Sequence, residues 1–330
     1  MLNEKIDLGV IKRRQAEARK RFVPIASDNR AMKMLEHVDF DLLEDIFRQL
    51  AERCNADSGQ INIIKREDVY VIYGYGENSG EYRQEPNMIG INTEMISGLA
   101  LSDRAKQLYV LELITHEIAH AISITRLSDF DEKKKVYRER RSGLSVSSKE
   151  FFGSRFSGLD EAFTELIVKD VVSEYLERSG WMTESEADEI RKPLPETEFG
   201  MGEKISRFLQ SVGLPPIVGG KTFRASYTNE ILLVNQLMDY LKKLTGVSRE
   251  TVYQAFVREK IEGNTDHVTD WQRIFVETLG EERGGELFHR MAIMTPRLKE
   301  SREMFQETLT KLSSGQSAEA DRTELHSARK

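Results

Sequence analysis

Between Ser102 and about Thr125 the chain is apolar on nearly every side. Leu108, Val110, Leu111, Leu113, Ile114, Ile118, Ala119, Ile122 and Ile124 leave no continuous polar stripe. A helix apolar all round belongs in a core, so the fold is expected to be built around this segment. Ser102-Asp103 supplies its N-terminal signal. Yet the same segment reads Thr115-His116-Glu117-Ile118-Ala119-His120. Polar groups inside a core need partners, and these histidines require a reason.

Residues four apart share one face of a helix. His116 and His120 can therefore present both imidazoles to one ion. Glu117 projects to one side of the pair, within reach of a water rather than of the metal. Catalytic zinc takes three protein ligands, keeps a position open for water and lowers that water's pKa to about 7. A carboxylate beside the water serves as general base. The plain alternative is two core histidines satisfied by hydrogen bonds. The five-residue string recurs by chance, so its context carries the weight. Asn87-Met88-Ile89-Gly90-Ile91-Asn92-Thr93 reads as a strand before it. About forty residues after it, Leu159-Asp160-Glu161-Ala162-Phe163-Thr164-Glu165 opens another helix with acidic residues four apart.

These segments together resemble the gluzincin branch of the zincin metallopeptidases, the group that includes thermolysin. The resemblance covers about residues 87–178. It implies an α+β fold: a zincin-like catalytic domain with a small mixed, partly antiparallel sheet, then a mainly helical C-terminal part. It implies one zinc ion per chain, held by His116, His120 and Glu161, with Glu117 as general base. Glu165 would orient a ligand histidine, since a metal-bound histidine usually donates its other N–H to a carboxylate or carbonyl. Asp160 stands where the branch commonly has asparagine, and Glu165 where it has aspartate. A shift of one turn would make Glu165 the ligand and Glu161 a surface residue. The strand Asn87–Thr93 takes the place of the edge strand that pairs with an extended substrate. An oxyanion donor is expected from the helical half: Tyr227 first, His267 second, each with a purely structural alternative.

The implied substrate is a peptide or protein. Two other readings stay open. One is a regulatory metallopeptidase of the ImmA/IrrE type that cuts a repressor. The other is a binding protein that keeps the fold without turnover.

Forty-eight basic against fifty-five acidic residues give a formal net charge of −7. A nucleic-acid partner usually demands a basic excess, so none is expected. No signal-peptide core or bilayer-length apolar run occurs, which predicts a cytoplasmic protein without a membrane partner. The single cysteine, Cys54, excludes an internal disulfide and reads as a packed thiol. Oligomeric state is not legible.

Along the chain, four regions are expected: an N-terminal helical arm (1–57), a catalytic core (58–180), a helical C-terminal part (181–311) and a disordered tail (312–330). Residues 4–21 read as a solvated helix, and Asp39 as the cap of the next. Gln60–Ile64 and Val69–Tyr73 read as strands, and Gly74–Gly80 as a mobile hairpin loop. The charge-rich stretch 126–157 reads as a solvated helix and loop, or as an active-site lid. Helices are expected over 184–192, 200–212, 228–245, 249–261, 266–280 and 283–309. His37, His289 and His326 have no supporting context.

Overall fold

A computed structural model describes residues 16–62, 64–73, 79–84, 86–99, 101–131, 136–147, 154–191, 228–263, 269–293 and 299–314. The chain mixes helix and sheet, as an α+β fold requires. It packs as two compact units drawn from separated segments rather than from consecutive ones.

The first unit contains the described residues up to Leu50, then those of Gly59–Ile122 and those of Ile167–Ala225. Its sheet comprises β1 (Val23–Pro24), β2 (Val69–Val71), β3 (Gly80–Arg83) and β4 (Met88–Ile91), in the order β1-β2-β4-β3. β2 and β4 are parallel, while β3 runs antiparallel to β4. Every residue of β2 and β4 is buried, which explains their continuous apolar runs without alternation. Gly90 is required here, because a Cβ would stand 2.6 Å from the Tyr70 ring.

This order corrects one expectation. β4 lies inside the sheet, between β2 and β3, so it cannot be the substrate-pairing edge. The edge strands are β1 and β3, each antiparallel to its neighbour, and the first residue of β3 falls at the end of the expected loop. Residues 74–78 of that loop lie outside the described residues. Among the described residues of 60–64 there is no strand either: Ser58–Gln60 forms a short 3₁₀ turn.

Helix α1 spans Asn29–Met34 and α2 Phe40–Arg53. Asp39 caps α2 as expected, its Oδ1 accepting from the N–H groups of Asp41 and Leu42 at 3.0 Å each. A short α3 (Thr93–Ser97) leads into α4 (Asp103–Ala121). Ser102 caps α4 by accepting from Ala105 N–H at 3.2 Å. Leu108, Val110, Leu111, Ile114 and Ala119 on α4 are wholly buried. β3 packs on this helix: Tyr109 donates to Ser79 Oγ at 2.6 Å, and Leu113 lies where a Cβ on Gly80 would be. Of the expected N-terminal arm, residues 1–15 lie outside the described residues. Its end is docked, with Arg19 paired to Asp68 at 2.7 Å and donating to Pro86 and Asn87 carbonyls.

Helix α5 (Ser157–Ser179) begins in the second unit and ends in the first. Beyond it lies α6 (Glu184–Arg191). The second unit also holds a fully antiparallel sheet of β5 (Thr125–Asp131), β6 (Val136–Ser142), β7 (Ser145–Ser147) and β8 (Ser154–Arg155), paired in chain order. Where a charged helix is expected, the described residues are thus largely strand. The charge density hid β-formers such as Val136 and Tyr137, and ladder pairing overrode local preference.

Helices α7 (Thr228–Thr245), α8 (Arg249–Glu262), α9 (Thr269–Leu279), α10 (Glu281–Ile293) and α11 (Lys299–Ser314) complete the described chain. The long helix expected over 283–309 is two, α10 and α11. Pro296 falls between them, and proline cannot continue a helix without losing a backbone hydrogen bond. The expected helix 200–212 and residues 315–330 lie outside the described residues. An aromatic cluster forms the unit's core. Phe163 stacks on Phe256 (4.6 Å between centroids), and Trp271 meets Phe256 and Phe156 edge-on. Cys54 is buried. Among the described residues, no helix is long and apolar enough to cross a membrane.

Candidate metal centre

His116 and His120 lie one turn apart near the C-terminal end of α4. Their Nε2 atoms are 3.1 Å apart, and the rings meet edge-on. Zinc–nitrogen bonds of about 2.0–2.1 Å in a tetrahedral site place ligand atoms roughly 3.3 Å apart. The imidazole pair therefore stands close to ligand separation. The same distance also suits a hydrogen bond in which one ring donates to the other.

Glu161 is the third member of the group. It stands half-buried in the second turn of α5. One ligand atom from each of His116, His120 and Glu161 falls within 4.8 Å of the other two. Two imidazoles and one carboxylate are a donor set that catalytic zinc accepts. Mononuclear iron uses the same set, so the donors alone do not choose the metal. Glu165 lies one turn further along α5, half-buried, and is not a member of this group. Of the two acidic residues, Glu161 and not Glu165 is grouped with the imidazoles.

Local contacts fix each of the two segments separately. Glu117 is buried beside the pair, and Thr115 in front of it bonds back to the Leu111 carbonyl at 2.8 Å. The end of α4 is tied to the loop before β4. Asn62 Nδ2 donates to the Ala121 carbonyl at 3.2 Å and to Asn87 Oδ1 at 2.6 Å. On α5 the turn before the helix is set by Phe156. Its φ is +61°, it is fully buried, and its N–H donates to the Ala292 carbonyl at 2.8 Å. A large residue in the left-handed region is uncommon and is held here by its aromatic neighbours.

Tyr227, His267 and His326 lie outside the described residues. His37 stacks on Trp181, with centroids 5.3 Å apart, and His289 is exposed on α10. Neither is near the metal group in the way a ligand must be.

Two residues beside the group escape sequence reasoning. Asp160 reads only as a replacement for asparagine, and Lys260 reads as one of many lysines. In the structure Lys260 Nζ donates to Asp160 Oδ1 at 2.6 Å, with the lysine side chain fully buried. The flanking apolar run Phe256-Val257 and Ile261 is the one sequence hint that a lysine here would be enclosed.

Comparison with family models, with curated proteins and with solved structures finds no match for this chain.

Proposed function

We propose that the chain is a zinc-dependent peptidase in which His116, His120 and Glu161 hold the metal. The observation that carries this reading is the convergence of those three donors with Glu117 directly after the first of them. Zinc, when bound, activates a water at neutral pH and polarises the scissile carbonyl. Glu117, buried and next to His116 in the chain, would take the proton from the attacking water and return it to the leaving amine. That role separates the hydrolytic reading from an iron site, which needs no carboxylate in this position.

The substrate on this reading is an extended peptide segment of a protein. β3 supports it: the strand packs on α4, and its outer edge pairs with no other strand among the described residues. An exposed edge is a template for adding a strand, with main-chain bonds giving affinity.

Zinc content and hydrolysis of a broad peptide library, measured for wild type, His116→Ala and Glu117→Ala, test the proposal. One tightly held zinc is expected in wild type and in Glu117→Ala, and none in His116→Ala, with both variants inactive. A metal-free wild type, or undiminished hydrolysis by Glu117→Ala, would overturn it.

A further inference from the structure

We infer that the buried ion pair Lys260–Asp160 is a positioning device for Glu161. The inference rests on the reading of Glu161 as a metal ligand. Asp160 and Glu161 are consecutive on α5, so their side chains leave the helix about 100° apart. Holding Asp160 fixes this turn of the helix and with it the Cα–Cβ direction of Glu161.

Asp160 is held from several sides. Its Oδ1 accepts from Lys260 Nζ at 2.6 Å and from Leu144 N–H at 2.8 Å. Its backbone N–H donates to the Phe156 carbonyl, and its carbonyl accepts from Thr164 Oγ1, at 2.9 Å each. Lys260 is tied in turn: its carbonyl accepts from Ile124 N–H at 2.9 Å, and the Ile124 carbonyl accepts from Gly143 N–H at 2.8 Å. The pair therefore joins α8, the chain after α4, the turn between β6 and β7, and the start of α5. Gly143, at φ +55°, completes the enclosure. A Cβ there would run into Asp160 Oδ1 and stand 3.0 Å from Lys260 Nζ.

Stability does not account for such a pair. Removing two charges from water is costly, and apolar replacements of a buried pair are often neutral or stabilising. What an ion pair with a second, main-chain donor supplies is a single geometry. Here that geometry belongs to the residue next to the third donor of the metal group.

The test uses the full chain and reads cobalt and zinc affinity by competition titration, with the metal-free thermal midpoint as a second readout. Lys260→Met/Asp160→Asn removes both charges and keeps an acceptor for Leu144. It should leave the metal-free midpoint near that of wild type and weaken metal binding about 10- to 100-fold, the usual cost of losing an outer partner. In a Glu161→Ala background the same two changes should alter affinity less than twofold, because the pair acts only through Glu161. Asp160→Glu keeps both charges but lengthens the arm. It should weaken binding in the same direction, and it decides the matter independently of how the double variant folds. Unchanged affinity in these variants, or an equal loss in the Glu161→Ala background, overturns the inference. A wild type that binds no metal overturns the metal reading itself, and is told apart because it is seen before any substitution.

Discussion

His116 and His120 hold their Nε2 atoms 3.1 Å apart across one turn of a buried helix. A metal that binds this pair binds the folded state alone. Zinc at a hundred times its dissociation constant should then raise unfolding free energy by about 2.7 kcal/mol. Urea denaturation with and without zinc measures this, and His120→Ala should abolish the difference. An equal zinc effect in His120→Ala would place the ion elsewhere.

Glu81 predicts an acid limb in the stability curve. Burial raises its carboxyl pKa, but hydrogen bonds from Arg83 and Tyr70 outweigh burial and hold it below the ordinary 4.5. Tyr70 Oη donates to Glu81 Oε1 at 2.6 Å, and burial together with that bond pushes the phenol well above its usual range. A carboxyl with a depressed folded pKa stabilises fully above its unfolded value. That contribution disappears as pH falls from about 4.5 through the folded value. Glu81→Gln should be less stable than wild type at neutral pH, and the gap should narrow as pH falls below about 4.5. Parallel curves over that window would remove Glu81 from the account.

Gly80 is where β3 meets α4. A Cβ there would lie 2.7 Å from Leu113 Cδ1. Overpacking of this kind costs about 1–3 kcal/mol, and Gly80→Ala should lose that much in urea. Gly80→Ala/Leu113→Ala should lose less than the two single losses together, since the contact is shared. Strict additivity would mean that β3 is not seated on Leu113.

Phe163, two residues beyond Glu161, is fully buried and stacks on Phe256 and Tyr253. Phe163→Ala should cost about 3–5 kcal/mol, read as a shift of the urea midpoint at constant slope. A shift under 1 kcal/mol would contradict the packing described for α5.

Much of the site is legible in the sequence because helical spacing is a local rule. His116, Glu117 and His120 follow from one turn of α4, and Glu161 from the acidic spacing at the start of α5. The helices over 228–245 and 249–262 follow from their apolar period and from breakers at their ends. What is not legible depends on pairing between distant segments. β5 to β8 hide behind charged residues because a ladder is made by partners rather than by propensity. β4 reads as an edge because strand order is not a property of any one strand. Lys260 is invisible beside Asp160 because the two are 100 residues apart.

That separation has a consequence for synthesis. Chains emerge from the ribosome at about 5–20 residues per second, so the elements of the centre become available in sequence. A nascent chain ending before Ser157 offers two imidazoles and no carboxylate from α5. One ending before Arg249 has α5 but lacks the ammonium that seats Asp160. On the proposed metal reading, tight capture would therefore wait until Lys260, 100 residues after Asp160, has been made.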